Sequence, residues 1–392
     1  MTLAPASLAD AVWDVAIVGA GIAGASLAWE LAQAGVGVLL LEREAQPGYH
    51  STGRSAALYL QTYGTPAIRA LTRASHAFYD TPPPGFADSP LLTPRGVVYV
   101  AQPDQLAQLE ATHAALRAEA PLLRPLTHAE LLAELPLLRP QAVAAGLWEG
   151  GGADIDVHAL HQGYLRGLRR RAGVLRADAE VLALARTQGA WAITLAGGER
   201  VRARQLVNAA GAWADALALQ AGAAPVGLVP KRRTAFTFAP PEGADIAHWP
   251  AAMAVDESWY FKPDAGQLLG SPANADPTSA HDVQPEEIDI ATGIWRIEQV
   301  TTLHIRRPTR AWAGLRSFVA DGDFVVGWDA RVEGFFWLAA QGGYGIQSAA
   351  GTARLARALL LAEPLDATLT RQGVDAARLA PARQLTPKER AL

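Results

Sequence analysis

Residues 15–30, VAIVGAGIAGASLAWE, and residues 38–42, VLLLE, decide the fold that this chain is expected to adopt. An apolar run of strand length meets the spacing GxGxxG at Gly19, Gly21 and Gly24; an Ala- and Leu-rich segment of helical period and a second apolar run follow. The first glycine allows a tight turn, the second lets the backbone approach a pyrophosphate, and the third lets helix and strand pack closely. The stretch therefore predicts a βαβ unit that binds a dinucleotide.

The second apolar run ends on Glu42, whose carboxylate suits a ribose with a free 2′-hydroxyl and would repel a 2′-phosphate. Residues 43–57, REAQPGYHSTGRSAA, fit no helix or strand pattern, and their small side chains let backbone N–H groups approach a ligand. Residues 205–213 (QLVNAAGAW) and 334–346 (GFFWLAAQGGYGI) each repeat the order of apolar strand, small-residue turn and helix. These segments predict two further contacts with the same ligand.

Composition excludes several classes of function. The chain has 392 residues, 50% of them hydrophobic, and a net charge of −4, which gives no electrostatic case for binding nucleic acid or an anionic membrane. Since it has no cysteine, disulfides, thiolate metal sites and redox-active thiols are excluded, and we expect no metal site. Residues 1–10 lack the features of a signal peptide and no apolar run is of membrane-spanning length, so we expect no integral membrane segment and a cytoplasmic location.

The organisation of the chain predicts an α/β fold of two discontinuous domains. Residues 80–90, DTPPPGFADSP, form a rigid connector, and alternating patterns within 231–310 favour an antiparallel sheet over further βαβ units. We expect a mixed or antiparallel-sheet substrate domain to be inserted into the Rossmann-like dinucleotide domain. The dinucleotide domain is assigned 1–88, 148–228 and 311–392, and the substrate domain 89–147 and 229–310.

Dispersed motifs show a family resemblance that covers nearly the whole chain. They resemble those of the glycine oxidase and D-amino acid oxidase family of flavoproteins and, within it, the bacterial D-arginine dehydrogenases. The motifs lie at residues 19–24, 41–57, 231–233, 262–266, 270–276, 312–322 and 340–346. The resemblance implies non-covalently bound FAD, the two-domain fold of that family, and oxidation of a D-amino acid by hydride transfer from the α-carbon to flavin N5. The imino acid then hydrolyses to a 2-oxo acid and ammonia.

The resemblance also implies the site residues. Arg233 and Arg316 would clamp the substrate carboxylate, since a guanidinium fork matches a carboxylate bidentately. Tyr63 and Tyr260 would contact the substrate, and the backbone at Gly343 would face its amino group. The implied cofactor-binding residues are Gly19, Gly21, Ala23, Gly24, Glu42, Arg43, Ser51, Thr52, Arg54, Ser55, Ala56, Ala57, Val181, Ala210, Gly211, Trp213, Arg316, Gly342, Gly343, Tyr344, Gly345, Ile346 and Gln347.

Two departures from the D-arginine dehydrogenase pattern affect the predicted substrate. Leu58 replaces a histidine and Val97 replaces the glutamate that holds the substrate guanidinium. Both changes make the pocket less polar, so apolar D-amino acids are the predicted substrates. A D-arginine preference remains the alternative if another acid reaches the pocket, and Asp256 and Glu257 are the candidates.

Other activities stay open on the sequence alone. The electron acceptor is a quinone in a dehydrogenase or oxygen in an oxidase, and a secondary-amine oxidase of the sarcosine type is a further alternative. A catalytically silent flavoprotein is disfavoured by the presence of both arginines, and NAD is disfavoured by the second glycine-rich turn near Gly343. A covalent flavin link through His50 is also disfavoured, because a lone histidine in a loop is more often structural.

Overall fold

A computed structural model describes residues 11–171 and 173–384, so the predicted absence of a signal peptide at 1–10 lies outside the described residues. The helices are α1 (Ile22–Gln33), α2 (Pro66–Asp80), α3 (Leu106–Leu116), α4 (His128–Glu134), α5 (Val157–Arg169), α6 (Ala214–Gln220), α7 (Glu287–Val300), α8 (Gly345–Leu360), α9 (Ala367–Arg371) and α10 (Ala376–Leu379). The strands are β1 (Val12–Val18), β2 (Val38–Leu41), β3 (Leu58–Tyr59), β4 (Leu92–Pro94), β5 (Val97–Ala101), β6 (Leu123–Leu126), β7 (Ala145–Glu149), β8 (Ala153–Ile155), β9 (Gly173–Arg176), β10 (Val181–Thr187), β11 (Ala190–Leu195), β12 (Arg200–Asn208), β13 (Val229–Phe238), β14 (Ala251–Ala254), β15 (Tyr260–Asp264), β16 (Gln267–Ser271), β17 (Asp276–Pro277), β18 (Arg310–Phe318), β19 (Val325–Trp328) and β20 (Phe335–Ala339).

The first sheet has eight strands in the order β10-β11-β12-β1-β2-β9, with β20 paired to β12 and β19 paired to β20. The pairs β1–β2, β1–β12, β2–β9 and β12–β20 are parallel. Helices α1, α2, α5 and α8 cover one face, where apolar residues such as Ile17, Leu27 and Leu355 are wholly buried. The predicted βαβ unit thus forms the centre of this sheet, and its packing on both faces explains why its strands are apolar throughout.

The second sheet has nine strands in the order β17-β13-β16-β15-β14-β5-β7-β6, with β18 also paired to β13. Its pairs are antiparallel except for β14–β5. Strands β5, β6 and β7 come from an early part of the chain and β13–β18 from a late part, so the sheet joins distant segments. The predicted α/β fold with a second mixed sheet is confirmed.

The division into sequence ranges stays a prediction. Strand β18 pairs with β13 of the second sheet over nine residue pairs from Val229–Phe318 to Thr237–Arg310, although the predicted boundary at 310 assigns most of it to the dinucleotide domain. A third sheet has three strands in the order β3-β8-β4. Along the chain, its strands fall where the sequence passes from the first sheet to the second or back again. None of the helices within 11–171 and 173–384 has the length and apolar content needed to cross a membrane.

Candidate active site between the two sheets

One elongated cavity runs along the carboxyl ends of four strands of the first sheet. The turns that follow β1, β2, β12 and β20 all line it, through Gly19, Glu42, Ala210 and Gly342 respectively. In an open parallel sheet, this edge is where the loops converge and ligands bind. The three strand–turn–helix segments read from the sequence therefore meet at one place.

The glycine-rich turn leaves no room for side chains. Gly19 has a φ of +102°, and a Cβ atom there would lie 2.3 Å from the Ala209 carbonyl oxygen. A Cβ atom on Gly24 would lie 1.9 Å from the Gly19 carbonyl oxygen, so Gly24 closes the helix onto the strand and does not line the cavity. The Glu42 carboxylate accepts a hydrogen bond from the Ala20 N–H at 2.8 Å, which holds it beside the turn. The glycine-rich turn and the Glu42 carboxylate together fit a dinucleotide whose ribose hydroxyls are free.

The loop of residues 43–57 runs along this cavity toward the second sheet. Thr52 accepts a hydrogen bond from the Ile22 N–H at 2.9 Å, which caps the start of α1, and Ser51 donates to the Leu315 carbonyl at 2.6 Å. The Arg43 guanidinium lies 3.9 Å from the centre of the Trp213 ring. Loop contacts to both sheets thus enclose the cavity along its length.

Most of the predicted cofactor residues line this cavity. They are Gly19, Gly21, Ala23, Glu42, Arg43, Ser51, Thr52, Arg54, Ser55, Ala56, Val181, Ala210, Gly211, Trp213, Arg316, Gly342, Gly343, Gly345 and Ile346. Ala57 and Gln347 line a neighbouring pocket instead, and Tyr344 packs its ring against Tyr63 with 4.8 Å between ring centres. The Arg54 guanidinium donates to the Val283 and Ala313 carbonyls, both at 3.0 Å, and so ties the loop to the second sheet.

The neighbouring pocket opens from the cofactor cavity and carries the predicted substrate residues. Both cavities are lined by Ser55, Ala56, Arg233, Tyr260, Arg316, Gly343 and Ile346. Tyr63, Leu58 and Val97 line only the pocket. Arg233 is on β13 and Arg316 on β18, and the antiparallel register of these strands brings residues 83 positions apart to one spot (Lys231 pairs with Arg316).

The two arginines are partly buried, and both line the pocket. Arg233 donates through Nε to the Asn274 carbonyl at 2.5 Å, and Arg316 donates through Nη1 to the Tyr63 hydroxyl at 3.2 Å. Among the described residues, neither guanidinium forms an ion pair with a carboxylate. Burial and the nearby charge of Arg316 lower the pKa of Arg233. Two partly buried guanidiniums that line one pocket are suited to bind an anion.

Gly343 is the position where a side chain would break this arrangement. A Cβ atom there would lie 2.7 Å from Nη1 of Arg316, so the guanidinium lies directly against the backbone of the glycine-rich turn. The turn that lines the cofactor cavity is thereby in contact with the anion site.

Much of the remaining wall of the pocket is apolar. Its lining includes Leu58, Leu60, Val97, Ala251, Ala252, Met253, Trp259 and Ala273. Of these, only Leu58 and Val97 were expected from the sequence. Met253, Trp259 and Ala273 reach the pocket through the pairing of β14, β15 and β16, and no local pattern marks them.

Glu257 is the one carboxylate that lines the pocket among the described residues. Its backbone has a φ of +58°, and the residue as a whole is exposed although it lines the pocket. Burial raises the pKa of Glu257, whereas Arg233 and Arg316 act in the opposite direction. The other candidate acid, Asp256, accepts hydrogen bonds from the Gln105 side chain and the Ser258 N–H, both at 3.0 Å, and does not line the pocket.

Comparison with known proteins agrees with this architecture. Glycine oxidase from Geobacillus kaustophilus superimposes with a TM-score of 0.81 and 20% identity over 95% of this chain and 99% of that chain. L-amino acid deaminase from Proteus myxofaciens in complex with anthranilate superimposes with a TM-score of 0.80 and 13% identity over 96% of this chain and 94% of that chain. L-α-glycerophosphate oxidase from Mycoplasma pneumoniae with FAD bound superimposes with a TM-score of 0.79 and 19% identity over 90% of this chain and 95% of that chain. At these identities the likeness shows the fold alone.

Sequence comparison adds a short match and a long one. The tRNA 5-methylaminomethyl-2-thiouridine biosynthesis bifunctional protein MnmC from Magnetococcus marinus is 46% identical over 56 residues, which are 14% of this chain and 8% of that protein. The chain thus spans a small part of that relative. A family model described as FAD dependent oxidoreductase matches residues 14–359, and FAD is therefore the cofactor. The chain belongs to the DAO family of FAD-dependent oxidoreductases.

Proposed function

We propose that this protein oxidises D-amino acids with apolar side chains to imino acids, which water then converts to 2-oxo acids and ammonia. The observation that carries the proposal is the pair of partly buried guanidiniums, Arg233 and Arg316, in a pocket that opens from the cofactor cavity. A substrate carboxylate would bring a negative charge to two guanidiniums that form no ion pair among the described residues. Two like charges that face one pocket repel each other, and Glu257 is the one carboxylate that lines the pocket with them among these residues.

A carboxylate held at two points orients the rest of the substrate. With the anion between β13 and β18, the α-carbon is directed toward the side of the pocket lined by Ser55, Ala56 and Gly343, which also line the cofactor cavity. When bound, FAD supplies the acceptor for the hydride that leaves the α-carbon. The protein's own part is to orient the amino acid and to receive the proton of its ammonium group. With Leu58 at the position of the family histidine, that proton passes to water, either directly or by relay through the hydroxyl of Tyr63 or Tyr260, which gives up its own proton as it takes the new one.

The apolar wall supports the proposed side-chain preference. Leu58, Val97 and Met253 offer no partner for a cationic group, whereas each buried methylene of an apolar side chain gains about 0.8 kcal/mol. Glu257 supports the second candidate, a D-arginine-preferring dehydrogenase, because it is a carboxylate within the pocket. The two candidates differ in whether this acid pairs with the substrate side chain or with the arginines.

Handedness and electron acceptor are further parts of the proposal. Relatives of similar fold are named as a glycine oxidase and as an L-amino acid deaminase, so glycine, sarcosine-type secondary amines and L-amino acids are the competing substrates. A quinone is the proposed acceptor and oxygen the alternative, and the cytoplasm is the proposed location.

A dye-coupled screen of D- and L-amino acids, glycine and sarcosine tests this proposal when an oxygen electrode follows the same reactions. We expect D-leucine, D-methionine and D-phenylalanine to be turned over with little oxygen uptake. Turnover restricted to L-amino acids, or to glycine and sarcosine, would disprove the proposed substrate class. Oxygen uptake equal to the dye-coupled rate would identify an oxidase.

A further inference from the structure

A buried acid outside both cavities makes an unusual set of contacts with the segment that carries Tyr63. Glu149, at the end of β7, is 1% exposed and forms no ion pair among the described residues. Its Oε1 accepts from the Gln61 N–H at 2.9 Å and the Thr62 N–H at 3.4 Å. Its Oε2 accepts from the Thr62 hydroxyl and, at 3.2 Å, from the Tyr99 hydroxyl. Four donors converge on one carboxylate in a place where an acid with no cation is costly.

The segment that hydrogen-bonds to Glu149 ends at Thr62, one residue before the tyrosine that contacts Arg316. Thr62 is followed by Tyr63, whose hydroxyl accepts the 3.2 Å hydrogen bond from Arg316. On the other side, the Gln347 side chain donates to the Tyr63 carbonyl at 3.3 Å. The backbone of this segment is therefore held between β7 and α8, while the Tyr63 ring also packs against Tyr344 with 4.8 Å between ring centres.

Strand pairing places the same acid behind the wall of the pocket. Glu149 pairs in the sheet with Val97, which lines the substrate pocket, and Leu60, which begins the held segment, lines it too. Glu149 thus links the second sheet to the loop that completes the pocket without itself reaching the substrate.

We propose that Glu149 is a positioning residue, which holds residues 60–63 so that the Tyr63 hydroxyl stays against Arg316 and the carboxylate clamp is preorganised. Thr62 and Tyr99 complete the arrangement, since their hydroxyl groups lie 2.6 Å apart and both reach the carboxylate. The proposal rests on the proposed function for its kinetic consequence, but its structural consequence is independent of any substrate.

The test uses the FAD-loaded enzyme with three variants. Glu149→Met keeps the approximate volume and removes every acceptor, whereas Glu149→Gln retains one oxygen for the two N–H groups. Glu30→Met is the matched control, because Glu30 is also buried (7% exposed) but pairs with Arg357 on α8, and it lines neither cavity. Hydrogen–deuterium exchange of the peptide that spans 58–65 is measured first.

We expect Glu149→Met to speed exchange in this peptide about tenfold, to raise the KM of the best amino acid and the dissociation constant of benzoate about tenfold, and to change kcat little. Glu149→Gln should restore most of each value, and Glu30→Met should match wild type in all three. In a Tyr63→Phe background, Glu149→Met should have almost no further effect on KM, since the two changes act through one hydroxyl.

If hydrogen–deuterium exchange of the 58–65 peptide is unchanged in Glu149→Met, the proposal is overturned whatever the substrate is. It is also overturned if Glu149→Met raises KM by the same factor in the wild-type background and in the Tyr63→Phe background. If Glu149→Met does not fold, Thr62→Val removes only the hydroxyl link, and the same comparison applies with an expected effect of about threefold. If Glu149→Met speeds exchange as expected but the wild-type enzyme turns over no amino acid, the proposed function is contradicted and the role of Glu149 is still supported.

Discussion

Replacing Arg233 by methionine removes half of the proposed carboxylate clamp, together with one hydrogen bond to the Asn274 carbonyl. The Nε of Arg233 is used by the Asn274 carbonyl, so its two Nη groups are the part that can reach a ligand. Methionine keeps the apolar stem of the side chain, and the strand hydrogen bonds between β13 and β18 do not involve the side chain.

The magnitude follows from two opposing effects. A hydrogen bond between charged groups contributes about 1.5–3 kcal/mol, which corresponds to a loss of roughly ten- to a hundredfold in kcat/KM. Burial and the nearby charge of Arg316 both lower the pKa of Arg233, and since like charges repel, the variant removes an unfavourable interaction as well as a favourable one. We therefore expect the lower half of the range, roughly ten- to thirtyfold, and it should be seen mainly in KM.

Steady-state kinetics with an amino acid and its amide make the assay specific. Wild type should strongly prefer the free acid. Arg233→Met should lose much of that preference, because the substitution lowers kcat/KM for the free acid and not for the amide. Arg232→Met is the matched control, since the neighbouring side chain pairs with Asp289 at 2.8 Å and lines neither cavity. An equal loss for acid and amide, or the same loss in Arg232→Met, would refute the assignment of the clamp.

Three further outcomes are expected. The purified protein should be yellow and should release FAD on acid precipitation; flavin retained in the pellet would indicate a covalent link such as one through His50. The kcat/KM should rise from neutral to alkaline pH, because the reacting form of the substrate is the neutral amine and Leu58 cannot accept the proton of the ammonium form. A flat profile of kcat/KM between about pH 6 and 10 would contradict this. Apolar D-amino acids should exceed D-arginine and D-lysine in kcat/KM by at least about tenfold, and Val97→Glu should shift the ratio toward D-arginine by a similar factor. D-arginine as the best substrate of the unmodified enzyme would assign the counter-charge to Glu257.

The βαβ unit and the two later glycine-rich turns could be predicted from the sequence. In these segments function depends on backbone geometry, and backbone geometry leaves a local trace. Only glycine fits where a Cβ atom on residue 24 would lie 1.9 Å from a carbonyl oxygen, and only small residues fit beside a bound cofactor. The mixed sheet was predicted from alternation within residues 231–310, but the parallel pairing of β14 with β5 was not, because it joins segments about 150 residues apart.

The substrate pocket shows where local pattern stops being informative. Arg233, Arg316, Tyr63 and Tyr260 were predicted through the family resemblance, since nothing in the residues around them distinguishes a ligand-binding arginine from one in an ion pair such as Arg232. Glu257 was named as a candidate together with Asp256, and only the turn between β14 and β15 separates the acid that lines the pocket from its neighbour that does not.

The sequence by itself determined the cofactor domain, because strand, glycine turn and helix are encoded within about thirty consecutive residues. Tertiary structure alone decided which side chains line the proposed substrate pocket and which ones support the residues that line it. Glu149, Asn274, Met253 and Trp259 come from strands and loops that are far apart in the chain. Their roles depend on strand register, and register is set by the packing of whole sheets rather than by neighbouring residues.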